Sequence, residues 1–156
     1  MTKVVLLDTG PLGLVTHPNA AIENKQATQW LQGLLQTEVA VLIPEIADYE
    51  LRRELLRAGK AKSVMVLDRY KARLGYVPLT TEAMLQAAQF WATARQQGKP
   101  TAPDLALDAD VILAAQAQVI ISGGHDVVVA TTNVGHLSRF VPAQHWQDVG
   151  VNYGVT

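Results

Sequence analysis

The chain has 156 residues, 49% of them hydrophobic and 17% charged, with a formal net charge of −1 and no cysteine. That length suits one domain able to bury about two-thirds of its unfolded surface, and the absence of cysteine excludes a disulfide framework and a thiolate metal site. The near-neutral total argues against coating nucleic acid by bulk charge, and with neither a signal-peptide pattern nor an apolar run of about eighteen residues the expected location is cytoplasmic, without a membrane partner.

Lys3 to Gly13 reads KVVLLDTGPLG. The aliphatic run Val4 to Leu7 has the pattern of a strand covered on both faces, and the chain is expected to turn at Gly10 and Pro11, directly after Asp8. A helix follows from about Ala20 to Gln36, with Trp30, Leu31, Leu34 and Leu35 on a stripe that reads as core or as an interface. Val39 to Ile43 is a second strand, and Glu45 to Ala58 and Ala61 to Leu74 pattern as a helical hairpin. Eight of the thirteen Lys and Arg residues lie between Arg52 and Arg73, against only Glu54 and Asp68. This is either a pair of solvated helix faces or an electropositive surface. After a short apolar piece, Tyr76 to Leu79, Thr80 or Thr81 caps a helix running to about Gln97, which Gly98 and Pro100 stop. Beyond a loop at Lys99 to Pro103, the almost wholly apolar helix from Asp108 to Ile121 must be buried. Val127 to Ala130 is a third buried strand, and Trp146 to Val151 a short edge strand. The alternation predicts a single α/β domain, a three-layer α/β/α sandwich with a central, mainly parallel sheet.

In such sheets ligands collect outside the carboxyl ends of the strands. Asp8 ends the first strand, and Thr131, Thr132 and Asn133 end the strand after the buried helix. Glu50, in PEIADYELRREL, sits mid-helix, while Asp108 and Asp110 open the buried helix. Each of the first three acids has a plain alternative: Asp8 begins a turn, Glu50 is a surface helix former, and Asp108 is an N-cap. Asp110 has none, because a carboxylate carried into a buried helix needs a partner or a cation. Several acids meeting at one sheet edge suggest a hard divalent cation, Mg2+ or Mn2+, of the kind that activates water and neutralises charge in phosphoryl chemistry. Without metal, packed carboxylates repel and some take up protons. His17, His125, His136 and His145 are scattered and fit ordinary surface or structural roles. Ser63, Ser122 and Ser138 lie in no nucleophile elbow, and no Gly-rich phosphate loop is present, which excludes a P-loop nucleotide hydrolase.

Asp8-Thr9 after the first strand, Glu50-Leu51 after the second, Asp110-Val111-Ile112-Leu113-Ala114-Ala115 in the late helix and Thr131-Thr132-Asn133 after the next strand carry a resemblance. Their order and spacing resemble the PIN-domain family, with its VapC-type toxins, over nearly the whole chain. The resemblance implies a PIN-like fold and a metal-dependent endoribonuclease that leaves a 3′-hydroxyl and a 5′-phosphate. Asp8, Glu50 and Asp110 would be the metal-binding carboxylates, Asp108 a helper, and Thr131 and Asn133 the groups that orient water or phosphate, with Thr9 doing the same beside Asp8. It also implies an antitoxin protein that inserts a tail into the pocket groove, and a homodimer. Arg52 and Arg53 begin the basic hairpin expected to track an RNA backbone, with single-stranded or loop RNA as the target. The fullest family pattern has a further aspartate at or just after the strand carrying Thr131; here stand Asn133 and His136, while Asp126 begins the strand at the opposite end. A single-metal site or weak catalysis is therefore expected. Besides the toxin-like ribonuclease, two readings stay open: a PIN-like RNA-binding or regulatory module, and a plain α/β domain whose acids are caps and surface residues.

Overall fold

The structure, a computed structural model, describes residues 3–17, 21–98 and 104–150. The loop expected at Lys99 to Pro103 and the residues Ala20 and Val151 lie outside the described residues. Five parallel strands form one sheet in the order β3-β2-β1-β4-β5: β1 (Lys3–Leu7), β2 (Ala40–Pro44), β3 (Gly75–Val77), β4 (Asp126–Thr131) and β5 (Ala143–His145). The register pairs Val4 with Ala40 on one side of β1 and with Val127 on the other. The chain builds outward from β1 to β3, then crosses back to place β4 on the far side of β1. The order of connection therefore switches between β1 and β4, and it is outside the carboxyl ends at such a switch point that open α/β sheets bind their ligands.

The aliphatic runs are continuous because both faces of the sheet are covered. On β1, Val5 and Leu7 join a core with Leu12 and Val15 of α1 (Thr9–Thr16), Leu31 and Leu34 of α2 (Ile22–Leu35) and Leu67 of α4 (Ala61–Arg73). Val4 and Leu6 point the other way, onto Leu113, Ala114 and Ala117 of α6 (Asp104–Ser122) and Leu137 of α7 (Val134–Leu137). Each such fully buried side chain contributes about 1.5–3 kcal/mol, so the alternation along β1 fastens both helical layers to one strand. A further helix, α5 (Thr81–Gln96), packs on α6 through Ala83, Ala87 and Ala94 against Leu107, Val111 and Ala115. Between β2 and α4, α3 (Glu45–Arg57) buries Ile46, Ala47 and Leu51. The α2 stripe proves to be core, with Leu31 and Leu34 buried and Trp30 and Leu35 packed beside them. Among the described residues, no helix is long and apolar enough to cross a membrane.

One buried polar side chain locks two layers together. Gln116 of α6, 1% exposed, accepts the Ile46 backbone N–H at 3.3 Å through Oε1 and donates from Nε2 to the Val77 carbonyl at 2.8 Å. An unpaired amide at that depth would cost free energy; here both ends are satisfied.

Three local expectations are corrected. The turn expected at Gly10 and Pro11 is the first turn of α1, where Pro is tolerated because its missing N–H would have no helical partner. Gly10 is needed for close approach: a Cβ there would lie 2.8 Å from Thr132 Oγ1 at the end of β4. The buried helix starts at Asp104, so Asp108 is no N-cap. The edge strand is Ala143–His145, and Trp146–Asp148 is a turn of 3-10 helix whose start His145 caps by accepting the Gln147 N–H at Nδ1, 3.2 Å. Trp146 leaves the sheet direction because its ring is buried edge-to-face against Trp30, 5.5 Å between centroids.

Candidate active site

The switch point carries Asp8, directly after β1, and Thr131, the last residue of β4. Strand pairing fixes them side by side: the Asp8 N–H donates to the Ala130 carbonyl at 3.0 Å. The Asp8 carboxylate is then clamped, Oδ1 accepting the Thr9 N–H at the start of α1 and Oδ2 accepting the Thr131 hydroxyl, both at 2.7 Å. Burial raises its pKa, and the bonds from Thr131 and Thr9 oppose that rise. The Thr131 hydroxyl also accepts the Asn133 N–H at 2.9 Å, which fixes the chain as it leaves β4.

Glu50 enters from α3. Its Oε1 accepts the Thr9 hydroxyl at 3.1 Å, so Thr9 ties the two carboxylates into one unit. Its pKa too is raised, by burial first; the Thr9 bond works against this, the Asp8 charge adds to it, and Arg53 relieves it.

Asp110 comes from the sheet's other face, on α6. Its Oδ2 is buried and has no hydrogen-bond partner, with His136 Nδ1 3.6 Å away. Burial is the main cause of a pKa pushed up to about 6; the charges of Asp8 and Glu50 add to the rise, and His136 and Arg139 moderate it. The three acids thus feel one another's charge. They do not, however, close into a ready ligand cluster: among the described residues, no three His, Cys, Asp or Glu side chains are grouped so as to hold a metal ion. The donor set is nevertheless one that suits a hard cation, being oxygen only, electrostatically strained and with one buried oxygen left over.

The same architecture is found among solved structures. A chain of VapBC2 from Rickettsia felis, bound to a DNA fragment from their promoter, matches at 17% identity over 92% of this chain and 98% of that one, with a TM-score of 0.69. A chain of the DNA-bound VapBC of Salmonella typhimurium matches at 22% over 94% and 99%, with a TM-score of 0.68. VapBC-1 of nontypeable Haemophilus influenzae supplies a third, at 16% over 92% and 98%, with a TM-score of 0.64. The fold is PIN-like. No protein-family model matches the chain, and no curated protein sequence does so at a significant level.

Within this PIN-like frame the other candidate residues separate. Asp108 is exposed and lines a different cavity, a largely apolar groove of about 410 Å³ between α5 and α6 bordered by Met84 and Trp91. Asn133 is also exposed and stands just ahead of α7. Arg52 is occupied: its Nε donates to Asp48 at 2.9 Å and its NH2 to Asp68 at 2.8 Å. Arg53 is about half exposed and reaches within 4.0 Å of Glu50. Two features escaped the sequence reading. His136 covers Asp110, a meeting between separate elements with no local spacing to announce it. Asp48, 4% exposed, pairs with Arg52 and with Lys71 at 3.7 Å; its signal was the helical i,i+4 spacing to Arg52.

Proposed function

We propose that the chain is a metal-dependent endoribonuclease, the toxin half of a toxin–antitoxin pair. The observation that carries this reading is the electrostatic influence of Asp8 and Glu50 on Asp110, whose Oδ2 is buried and without a hydrogen bond. Mg2+ or Mn2+ would be held by these three carboxylates and, when bound, would polarise a water and the phosphate while neutralising the leaving oxygen. The chain's own residues do the positioning. Thr131 and Thr9 orient the Asp8 and Glu50 carboxylates through their hydroxyls, and Asp110 Oδ2 stands as the open acceptor. Asn133, exposed two residues beyond Thr131, would hold phosphate or water with its amide. Arg53, at the pocket edge, offers a fork of donors to the RNA backbone. The likeness in fold to chains of VapBC complexes supports an antitoxin partner of the VapB kind, and a homodimer is part of the same reading.

The test is cleavage of a mixed pool of labelled RNAs by the purified protein with Mg2+, with Mn2+ and with EDTA, alongside Asp8→Asn and Asp110→Asn. Asparagine keeps the shape and removes the charge. Metal-dependent cleavage lost in both variants is the expected result. No cleavage with either metal, or equal cleavage by the variants, overturns the reading. The alternative, a catalytically weak PIN-like RNA-binding or regulatory module, is favoured by the acids' failure to close into a ligand cluster among the described residues and by His136 beside Asp110.

A further inference from the structure

Beside the acidic pocket, α3 presents an aromatic ring that the core does not use. Ile46, Ala47 and Leu51 of this helix are buried, whereas Tyr49 is 56% exposed. One helical turn on, Arg53 lies with its guanidinium carbon 5.1 Å from the Tyr49 ring centroid and its NH2 4.0 Å from Glu50 Oε2. Ring, guanidinium and pocket carboxylate therefore follow one another from the surface inward. At an exposed site such a cation–π contact contributes little to folding. Its effect is to hold two flat groups in place before any ligand arrives, which lowers the ordering cost of binding.

We propose that Tyr49 and Arg53 form a stacking step for one unpaired base of single-stranded RNA, placing the adjoining phosphate at Asp8, Glu50 and Asp110. The choice of RNA as ligand rests on the ribonuclease reading. Every base offers a π face to an aromatic ring or a guanidinium plane, so the step is indifferent to sequence. It does discriminate by structure, since bases in a duplex are already stacked on their neighbours and cannot swing onto Tyr49. Arg53 serves both ends of the contact, stacking by its plane and donating to phosphate by its edge. The step thus supplies a preference for unpaired segments that the three carboxylates alone lack.

The experiment is equilibrium binding of a fluorescent single-stranded RNA, of the same sequence as a duplex, and of a single strand carrying abasic sites. The protein is the full chain with Asp110→Asn in Mg2+, compared with the same chain further changed by Tyr49→Ala or Tyr49→Phe; unfolding midpoints confirm that each variant folds. Tyr49→Ala is expected to weaken single-strand binding by roughly 5- to 150-fold, while Tyr49→Phe retains it and duplex binding does not change. The abasic strand should bind the parent weakly and lose nothing further with Tyr49→Ala. Equal single-strand binding by parent and Tyr49→Ala, equal loss on single strand and duplex, or equal damage from Phe and Ala overturns the step; if Tyr49→Ala then releases a bound partner protein instead, the face belongs to a protein contact. The two readings fail separately. Base stacking with no cleavage by the unmodified chain sinks the ribonuclease alone, whereas Mg2+-dependent cleavage with Tyr49→Ala binding unchanged sinks the stacking step alone.

Discussion

Removing the charge at Asp110 should change how stability depends on pH in the metal-free protein. The Asp110 side chain is 21% exposed, and its pKa is raised from 3.8 to about 6. The folded state therefore holds this proton more tightly than the unfolded state, and the group disfavours folding once it must ionise. Well below the unfolded value of 3.8 it is protonated in both states and costs nothing; as pH rises from there toward 6 the unfolded chain releases the proton first, and stability falls. Above the folded pKa the loss is complete. A rise of about two pK units is worth about 3 kcal/mol, of which about half has gone by pH 5. For a chain of this size that corresponds to about 2–4 °C in unfolding temperature for each kcal/mol. The assay is thermal or urea unfolding in EDTA at pH 4, 5, 6 and 7 for the parent and for Asp110→Asn, read as the difference between the two curves so that groups not coupled to Asp110 cancel. Stability of the parent relative to the variant should decline from pH 4 to 7. Adding Mg2+ should recover more of it at pH 7 than at pH 5, because a cation binds the ionised carboxylate. Parallel curves for the two proteins over the whole range would refute both the buried, strained Asp110 and the cation argument built on it.

Thr131→Val removes the hydroxyl that donates to Asp8 at little change in shape. Cleavage titrated with Mg2+ should then need about 10- to 100-fold more metal, as for other residues that orient metal ligands, and an unchanged titration would show that Asp8 needs no such support. Gln116→Leu leaves the Ile46 N–H and the Val77 carbonyl without their side-chain partners; urea unfolding should register a loss of about 1–3 kcal/mol, and a neutral result would mean that water or a backbone shift replaces both bonds.

The layers were legible because their signals are local and strong. Val4 to Leu7 and Val127 to Ala130 are apolar on both faces, which only a doubly covered sheet satisfies, and the strand–helix alternation then leaves a parallel sheet. The first helix was hidden because TGPLGLVT carries two glycines and a proline, poor helix formers whose cost is met by the Asp8 cap and by burying Leu12 and Val15. At Asp108 the eye follows the apolar run and misses that Leu107, one residue earlier, is already in the core. Asp8, Glu50, Asp110 and Thr131 could be nominated from the sequence because Asp8 and Thr131 stand at the ends of strongly patterned strands, and Glu50 and Asp110 are acids on helices near that edge. Their bonding could not, because Thr9 to Glu50 spans 41 positions and Thr131 to Asp8 spans 123, and no periodicity carries information over such distances.

What the geometry adds to that nomination is a charge count. Asp8 has both oxygens engaged by neutral donors, and Glu50 has one. Neutral bonds stabilise a carboxylate without cancelling its charge, so the charges of Asp8 and Glu50 add to the burial that already raises Asp110, whose Oδ2 has no hydrogen bond. Such a site has two ways to relax: it can take up a proton, or it can bind a cation. The first operates at low pH, where a carboxyl raised to about 6 keeps its proton. As the solution becomes neutral that route fades, and a divalent cation is the remaining remedy. A His136→Asp substitution would deepen that dependence by setting a fourth acid where an imidazole now faces Asp110. Metal-free His136→Asp should be less stable than the parent at pH 7, and Mg2+ should stabilise it by a larger increment than the parent. If Mg2+ instead stabilised the two proteins equally, Asp110 would not be where the cation binds.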